Sequence, residues 1–160
     1  MESQKALYSQ SDLQWMRHAE ESWMKGTNRI AEIKKFAGKA GIKKIGIAHC
    51  VGMTKEAEQL KDRLADQFEV HTVGCKYQQV PASFMLDDDT QKGSSCNPAG
   101  QAEFLAQHQT ELNLVMGLCV GHDMIFNMNS KAPTSTLIVK DREHHHNPFQ
   151  EFSKEGISNK

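Results

Sequence analysis

The sequence lacks closely spaced cysteine pairs: its four cysteines are far apart, and no C-x-x-C motif occurs. Structural zinc sites usually take their ligands from such pairs, so a zinc knuckle is not expected. The sequence also has no G-x-G-x-x-G after its first predicted strand, no G-x-x-x-x-G-K-[ST] and no G-x-S-x-G. These absences argue against dinucleotide-binding, P-loop nucleotide-binding and serine-hydrolase sites.

The sequence also has no large excess of positive or negative charge and no long apolar run. Lys and Arg number 19 against 20 Asp and Glu, and no basic stripe suggests nucleic acid or an anionic membrane as a partner. No apolar run approaches the roughly 20 residues that span a bilayer, and residues 1–10 lack the apolar core of a signal peptide. We therefore expect a cytoplasmic protein, whose cysteines are thiols, metal ligands or catalytic groups rather than disulfides.

A chain of 160 residues with 38% hydrophobic content suffices for one α/β domain. We predict an N-terminal helical extension over residues 1–26, the α/β domain over 27–152 and a flexible tail over 153–160. The extension carries Trp15 and Trp23, which suggests a homo-oligomer or partner contact through its helix.

Four short apolar runs are rich in β-branched residues and alternate with amphipathic segments, which is typical of a parallel sheet with right-handed crossovers. The predicted strands cover residues 45–48, 68–73, 112–118 and 136–139, and the helices between them begin near Thr54, Pro98 and Met124. We predict a single Rossmann-like or flavodoxin-like domain with about four strands in the order 2-1-3-4 and helices on both faces. Open sheets of this kind bind ligands beyond the carboxyl ends of their strands.

The cysteines follow this pattern. Cys50, Cys75 and Cys119 each follow a predicted strand, and Cys96 immediately precedes a helix. All four would meet at the carboxyl rim of the sheet. Soft sulfur ligands select zinc or an iron–sulfur cluster, and ligands so widely spaced in sequence favour the cluster. The alternative is that several of them are plain buried thiols.

Turn residues beside the cysteines are candidates for cofactor binding. The segment C-V-G occurs twice, ending at Gly52 and Gly121, and Asn97 is a predicted N-cap before Pro98. Glycine allows close backbone approach, and helix N-terminal amides stabilise an anion or a thiolate. Ordinary strand-to-helix turn chemistry explains the same residues.

Histidines supply the second set of candidates. His122 and Asp123 begin the helix after Cys119, where they could transfer protons or orient a substrate. His49 should point away from Cys50 and serve a structural role. His144 and His145 are expected in a solvated loop.

The stretch from Tyr77 to Ser95 is long and polar, which suggests a lid, a binding loop or a disordered insert.

Five segments resemble an uncharacterised family of small prokaryotic proteins to which metal binding has been ascribed. They are KIGIAHCVG (44–52), CNPAGQAE (96–103), GLCVGHD (117–123), SKAP (130–133) and VKDR (139–142). The resemblance runs from about Arg29 to Pro148. It implies that Cys50, Cys75, Cys96, Cys119, His122, Asp123 and His146 occupy motif positions, and it implies no reaction. The chain departs from the family in having no cysteine before Cys50 and one cysteine after the second strand where members often have two.

Three hypotheses follow. The first is a metal-binding protein that holds an iron–sulfur cluster, or zinc, through the four cysteines and acts on a small-molecule substrate or redox partner. The second is a metal-free enzyme with Cys50 or Cys119 as nucleophile and His122 or His146 as base. The third is a non-catalytic assembly module that docks through its N-terminal helix.

Overall fold

A computed structural model of the chain describes residue 4 and residues 6–154. The chain divides into two compact units, Met1–Lys43 and Lys44–Lys160. Among the described helices, none combines the length and the apolar character needed to cross a bilayer.

The N-terminal unit contains two helices, α1 (Gln10–Ser22) and α2 (Arg29–Lys39). Ser9 caps α1 in a capping box, because its side chain accepts from Asp12 N–H while the Asp12 carboxylate accepts from Ser9 N–H. Trp15 packs on Phe36 with ring centroids 5.3 Å apart. Trp23 is 66% exposed and is the more exposed of the two tryptophans.

The second unit is built on a parallel sheet of four strands in the order β2-β1-β3-β4, which confirms the predicted fold class and strand order. The strands are β1 (Lys44–His49), β2 (Glu69–Gly74), β3 (Leu112–Met116) and β4 (Thr134–Ile138). Residues of β3 are buried along the whole strand, as expected of a central strand covered on both faces.

Five helices surround this sheet in the described residues: α3 (Thr54–Leu64), α4 (Ala82–Leu86), α5 (Pro98–Gln107), α6 (His122–Asn129) and α7 (Phe149–Lys154). Right-handed crossovers place α3 on one face of the sheet and α5 and α6 on the other. Ala48 and Val115 of the sheet share a buried cluster with Leu105 of α5 and Phe126 of α6. That cluster lies directly below the predicted site.

Three local predictions need correction or completion. Strand β3 ends at Met116 rather than at residue 118, because Gly117 adopts a left-handed conformation with φ +62°. The long stretch 77–95 contains a 3₁₀ turn at Tyr77–Gln79 and the helix α4, and Pro81 pairs with Ser94 in an isolated antiparallel bridge. The sequence pattern did not indicate α7, and residues 153–154 of the predicted tail belong to it, whereas residues 155–160 lie outside the described residues.

Candidate functional site

The turn after β1 places Cys50 at the carboxyl rim of the sheet. Its backbone N–H donates to the carbonyl of Met116 at 3.0 Å, which continues the β1–β3 pairing one residue beyond the strand. A 3₁₀ turn, Val51–Met53, then leads into α3, and the Thr54 hydroxyl donates to the Val51 carbonyl at 2.8 Å. The thiol therefore projects from a backbone that is fixed on both sides.

Cys75 and Cys96 meet beside Cys50. The two sulfur atoms lie 3.6 Å apart, and Asn97 N–H donates to the Cys75 carbonyl at 2.7 Å. Val51 N–H also donates to the Cys75 sulfur at 3.4 Å. Cys75 is 3% exposed, whereas Cys50 and Cys96 are half-buried. The loop thus brings a third thiol to the ends of β1 and β2.

Two cations from the segment after β4 reach the thiols. Lys140 Nζ lies 3.2 Å from the sulfur of Cys50, and an amino nitrogen of Arg142 lies 3.2 Å from the sulfur of Cys119. Because β4 lies beyond β3, the Lys140 side chain reaches across the end of β3 to the end of β1. Positive charge at this distance favours the thiolate over the thiol.

The thiols of Cys50 and Cys75 differ in acidity. Burial alone would raise the pKa of Cys50, but the hydrogen bond from Gly52 N–H and the Lys140 ammonium outweigh it, so the pKa is lowered. Burial raises the pKa of Cys75 to about 11, and the neighbouring sulfurs of Cys96 and Cys50 add to this increase. The site therefore pairs an acidified thiol with a protonated, buried one.

Gln101, on α5, lies beneath these thiols and is fully buried. Its amide nitrogen donates to the carbonyls of His49 at 3.2 Å and Val73 at 2.8 Å, near the ends of β1 and β2. Among the described residues its Oε1 atom has no hydrogen-bond partner. Gln101 joins the strand ends that carry Cys50 and Cys75.

The candidate catalytic residues surround the other side of the rim. Asp141 N–H donates to Nδ1 of His146 at 3.2 Å, which places the proton of the neutral imidazole on Nε2. A Cβ built on Gly117 would lie 4.0 Å from Cε1 of His146, so the ring sits over the end of β3. Asp123 accepts from Gly121 N–H at 3.0 Å and Met124 N–H at 2.8 Å, so its carboxylate stabilises the start of α6. His122 is half-buried at the first position of that helix.

Comparison with known proteins assigns the chain to a family. The profile of a family described as "Protein of unknown function (DUF1847)" matches residues 1–137. The chain belongs to the DUF1847 family. The DUF1847 chain is also 45% identical over 128 residues to the uncharacterized protein MJ0455 of Methanocaldococcus jannaschii, an alignment that covers 78% of this chain and 66% of that protein. It thus spans just under two thirds of the length of this relative. No solved structure matches it.

The family assignment confirms the resemblance to an uncharacterised prokaryotic family. All four cysteines lie within the matched residues, whereas Lys140, Arg142 and His146 lie after them. The roles predicted for the cysteines, His122, Asp123 and His146 stay predictions.

The predicted cofactor-binding residues have visible structural roles. Asn97 caps α5 by accepting from Gly100 N–H at 2.9 Å, and its amide nitrogen donates to the Tyr77 carbonyl at 3.3 Å. Gly121 has φ +87° and precedes α6. Gly52 differs, because its N–H is directed at the sulfur of Cys50.

The prediction of a solvated loop at His144 is wrong. His144 is 6% exposed, and its Nε2 lies 2.6 Å from a carboxylate oxygen of Glu151 in α7. Its backbone N–H donates to the Asp141 carboxylate at 2.8 Å. The sequence pattern did not indicate α7, and without that helix nothing in the sequence predicts a cover for His144.

His145 is exposed, as expected. His49 is buried, with Nδ1 2.9 Å from the carbonyl of Cys50, which agrees with a structural role.

Lys140, Arg142 and Gln101 are the site residues that sequence reasoning missed. A signal existed for the first two: Lys140-Asp141-Arg142 directly follows the fourth strand, and every strand end in a parallel sheet opens on the same rim. Gln101 gave no such signal, since a glutamine in an amphipathic helix is usually solvated.

The thiols fit a metal centre in chemical type and in part in spacing. A tetrahedral zinc site with Zn–S bonds of about 2.3 Å puts its sulfurs about 3.8 Å apart, close to the 3.6 Å between Cys75 and Cys96. Within the described residues, no three cysteine sulfurs lie within 4.8 Å of one another. The sulfurs are therefore spread more widely than a single zinc ion requires. Soft donors with such a spread suit a cluster of several metal ions better.

Proposed function

We propose that this DUF1847 protein binds a metal centre through Cys50, Cys75, Cys96 and Cys119 at the carboxyl rim of its sheet. The observation that carries the proposal is the convergence of thiols from separate segments, with Cys75 and Cys96 3.6 Å apart and Cys50 next to Cys75. Hydrophobic packing alone does not explain cations directed at the sulfurs of Cys50 and Cys119.

The chain prepares these sulfurs as ligands. A thiol binds metal as the thiolate, so the site must stabilise negative charge before or during loading. Lys140 and Gly52 N–H do this for Cys50, and the guanidinium group of Arg142 lies 3.2 Å from the sulfur of Cys119. In addition, hydrogen bonds to cluster sulfurs are one of the means by which proteins set reduction potentials.

We favour an iron–sulfur cluster over zinc because the ligands come from four separate rim segments and no C-x-x-C pair occurs among them. When bound, such a cluster supplies electron transfer or a Lewis-acidic iron. His146 and His122 could then hold or move a proton beside a small-molecule substrate, His146 through its Nε2–H. A reducing, cytoplasmic setting would keep the thiols available.

Metal analysis tests the proposal. Iron, zinc and acid-labile sulfide are measured per chain, together with a visible spectrum, on protein purified without oxygen and without a histidine-affinity column. We expect about four irons and four sulfides with broad absorbance at about 400 nm. One zinc per chain would instead indicate a Cys-rich zinc site.

Matched variants locate the centre. We expect Cys96→Ser and Cys119→Ser to lower metal content and stability. Val120→Ser should change neither, since Val120 is 81% exposed next to Cys119. Unchanged metal content in both cysteine variants, or no metal in the wild type, would refute the proposal.

A second candidate function rests on the acidified Cys50. With Lys140 and Gly52 stabilising its thiolate, Cys50 has the environment of a nucleophile in a metal-free enzyme. His122 would act as the base, because Nδ1 of His146 already accepts from Asp141 N–H. It predicts that one thiol alkylates far faster than the others near neutral pH. Four equally slow thiols in the metal-free protein would argue against it.

A further inference from the structure

Cys75 and Cys96 are placed to react with each other as well as to bind metal. Their sulfurs are in contact at 3.6 Å. A disulfide bond is about 2.05 Å long, so the two sulfurs need to approach each other by about 1.5 Å. The hydrogen bond from Asn97 N–H to the Cys75 carbonyl, 2.7 Å long, already holds the two backbone segments side by side.

The loop between the two cysteines is closed at its base. Ser95 N–H donates to the Val80 carbonyl at 2.8 Å, and Ala82 N–H donates to the Gly93 carbonyl at 2.9 Å. The ammonium group of Lys76 donates to the carbonyl of Ser94. These hydrogen bonds hold together the ends of the loop at which the two sulfurs are in contact.

We propose that Cys75 and Cys96 form a reversible disulfide by exchange with a small-molecule disulfide, and that this bond removes two thiolates from the metal site. The regulatory part of this inference rests on the proposed metal binding, whereas the disulfide itself does not. Metal binding and disulfide formation exclude each other because both use the same sulfur electron pairs.

The exchange balances in two steps. Cys96, half-buried and therefore more accessible than Cys75, attacks the small disulfide RSSR; its S–H proton passes to the departing RS⁻, giving a mixed disulfide and RSH. Cys75, in contact behind it, attacks the Cys96 sulfur of the mixed disulfide and expels the second RS⁻, which takes the proton of Cys75. Two protein thiols are oxidised to one disulfide, and RSSR is reduced to two RSH.

Peptide mapping tests the disulfide directly. The full metal-free chain is reduced, freed of reductant, treated with oxidised glutathione under native conditions and quenched with iodoacetamide. We expect a mass decrease of about 2 Da before alkylation and a Cys75–Cys96 cross-linked peptide, both reversed by dithiothreitol. Val120→Ser, at an exposed position, should behave like the wild type, and Cys96→Ser should lose the cross-link. Because the wild-type map is itself decisive, misfolding of a variant does not remove the test.

A separate measurement tests the consequence for metal. The oxidised chain should take up iron or zinc at least about tenfold less than the reduced chain, and dithiothreitol should restore uptake. A map showing Cys50–Cys75 instead, or only glutathione adducts, would overturn the inference even if metal binds. If the reduced chain binds no metal but the Cys75–Cys96 bond forms, the proposed function and the regulatory part fail while the disulfide stands.

Discussion

Lys140 and Cys50 are 90 positions apart in sequence, yet the ammonium nitrogen of Lys140 lies 3.2 Å from the Cys50 sulfur. The contact spans the end of the central strand β3, because Lys140 follows β4 and Cys50 follows β1. It converts a cysteine at a strand end into a candidate thiolate, which both the metal-binding and the nucleophile hypotheses require.

Replacing Lys140 by Met should therefore slow the reaction of Cys50 with iodoacetamide. Loss of the ammonium destabilises the thiolate, so the pKa of Cys50 rises and its thiolate fraction at neutral pH falls. Since one pKa unit is a tenfold change in this fraction, we expect alkylation slower by about three- to tenfold at pH 7. The rate against pH should keep its shape and move to higher pH.

Lys131→Met is the matched control, because Lys131 is an exposed lysine in the turn before β4. It removes the same net charge without removing the contact with Cys50. An equal slowing by both variants would mean that net charge, and not the Lys140 contact, sets the reactivity of Cys50.

Cys75 should be the slowest of the four thiols to alkylate at neutral pH. It is 3% exposed, and burial raises its pKa to about 11, so its thiolate is scarce where Cys50 already reacts. Isotope-coded alkylation of the metal-free protein, followed by peptide mass spectrometry, ranks all four. In urea the ranking should vanish, since burial is lost. A Cys75 that reacts as fast as Cys50 in the folded protein would contradict this.

The same shift predicts how stability depends on pH. Cys75 has a folded pKa raised from 9.0 to about 11, so above pH 9 the unfolded chain loses this proton while the folded chain keeps it. The contribution to stability is present below pH 9 and is lost as pH rises through 11. Urea unfolding of the metal-free wild type and of Cys75→Ala between pH 8 and 11 separates the contribution of Cys75 from that of the other titrating groups. The wild type should lose stability more steeply than the variant.

Much of the fold was predictable from sequence because periodicity reports burial. Short β-branched runs such as Ile45–Ala48 and the amphipathic face of α3 fix a parallel α/β domain and, with right-handed crossovers, its strand order. The rim position of Cys50 and Cys75 follows from the strand ends. The distances between the sulfurs cannot be predicted in this way, because they depend on how the loop 76–95 folds back to bring Cys96 to Cys75.

Contacts made by long polar side chains were not predictable. Lys140 and Arg142 look like solvated surface residues in sequence, and only the packing of four strand ends brings them to Cys50 and Cys119. The prediction for His144 is wrong for a related reason, since the helix that carries its partner Glu151 has only six residues, too few to show an apolar period. Sequence patterns indicate which face is buried, but they do not indicate which polar groups meet.

Gly46→Ala should destabilise the α/β unit although the change adds only one methyl group. A Cβ at this position would lie 2.2 Å from Oδ1 of Asn113 and 2.8 Å from Cδ1 of Leu105, both of them buried. The closeness to β3 and α5 leaves little room for relaxation, so we expect a loss of about 1–3 kcal/mol in urea unfolding. Gly38→Ala, in α2 with nothing within 4 Å of its Cβ, should instead stabilise the helical unit by about 0.5–1 kcal/mol. A neutral Gly46→Ala would show that β1 and α5 pack more loosely than described.

Gln101→Leu should disturb the thiol site from below. Leucine keeps most of the side-chain volume but removes the amide donor that joins the carbonyls of His49 and Val73. Each of these two buried carbonyl oxygens then loses one hydrogen bond. We expect a loss of about 1–3 kcal/mol in urea unfolding. Because Cys50 and Cys75 directly follow these strand ends, metal uptake per folded chain should fall as well, a result that a purely structural role would not give. Gln107→Leu is the control on the same helix: Gln107 is exposed and its side-chain amide donates to Glu103, so stability and metal uptake should both stay near the wild-type values.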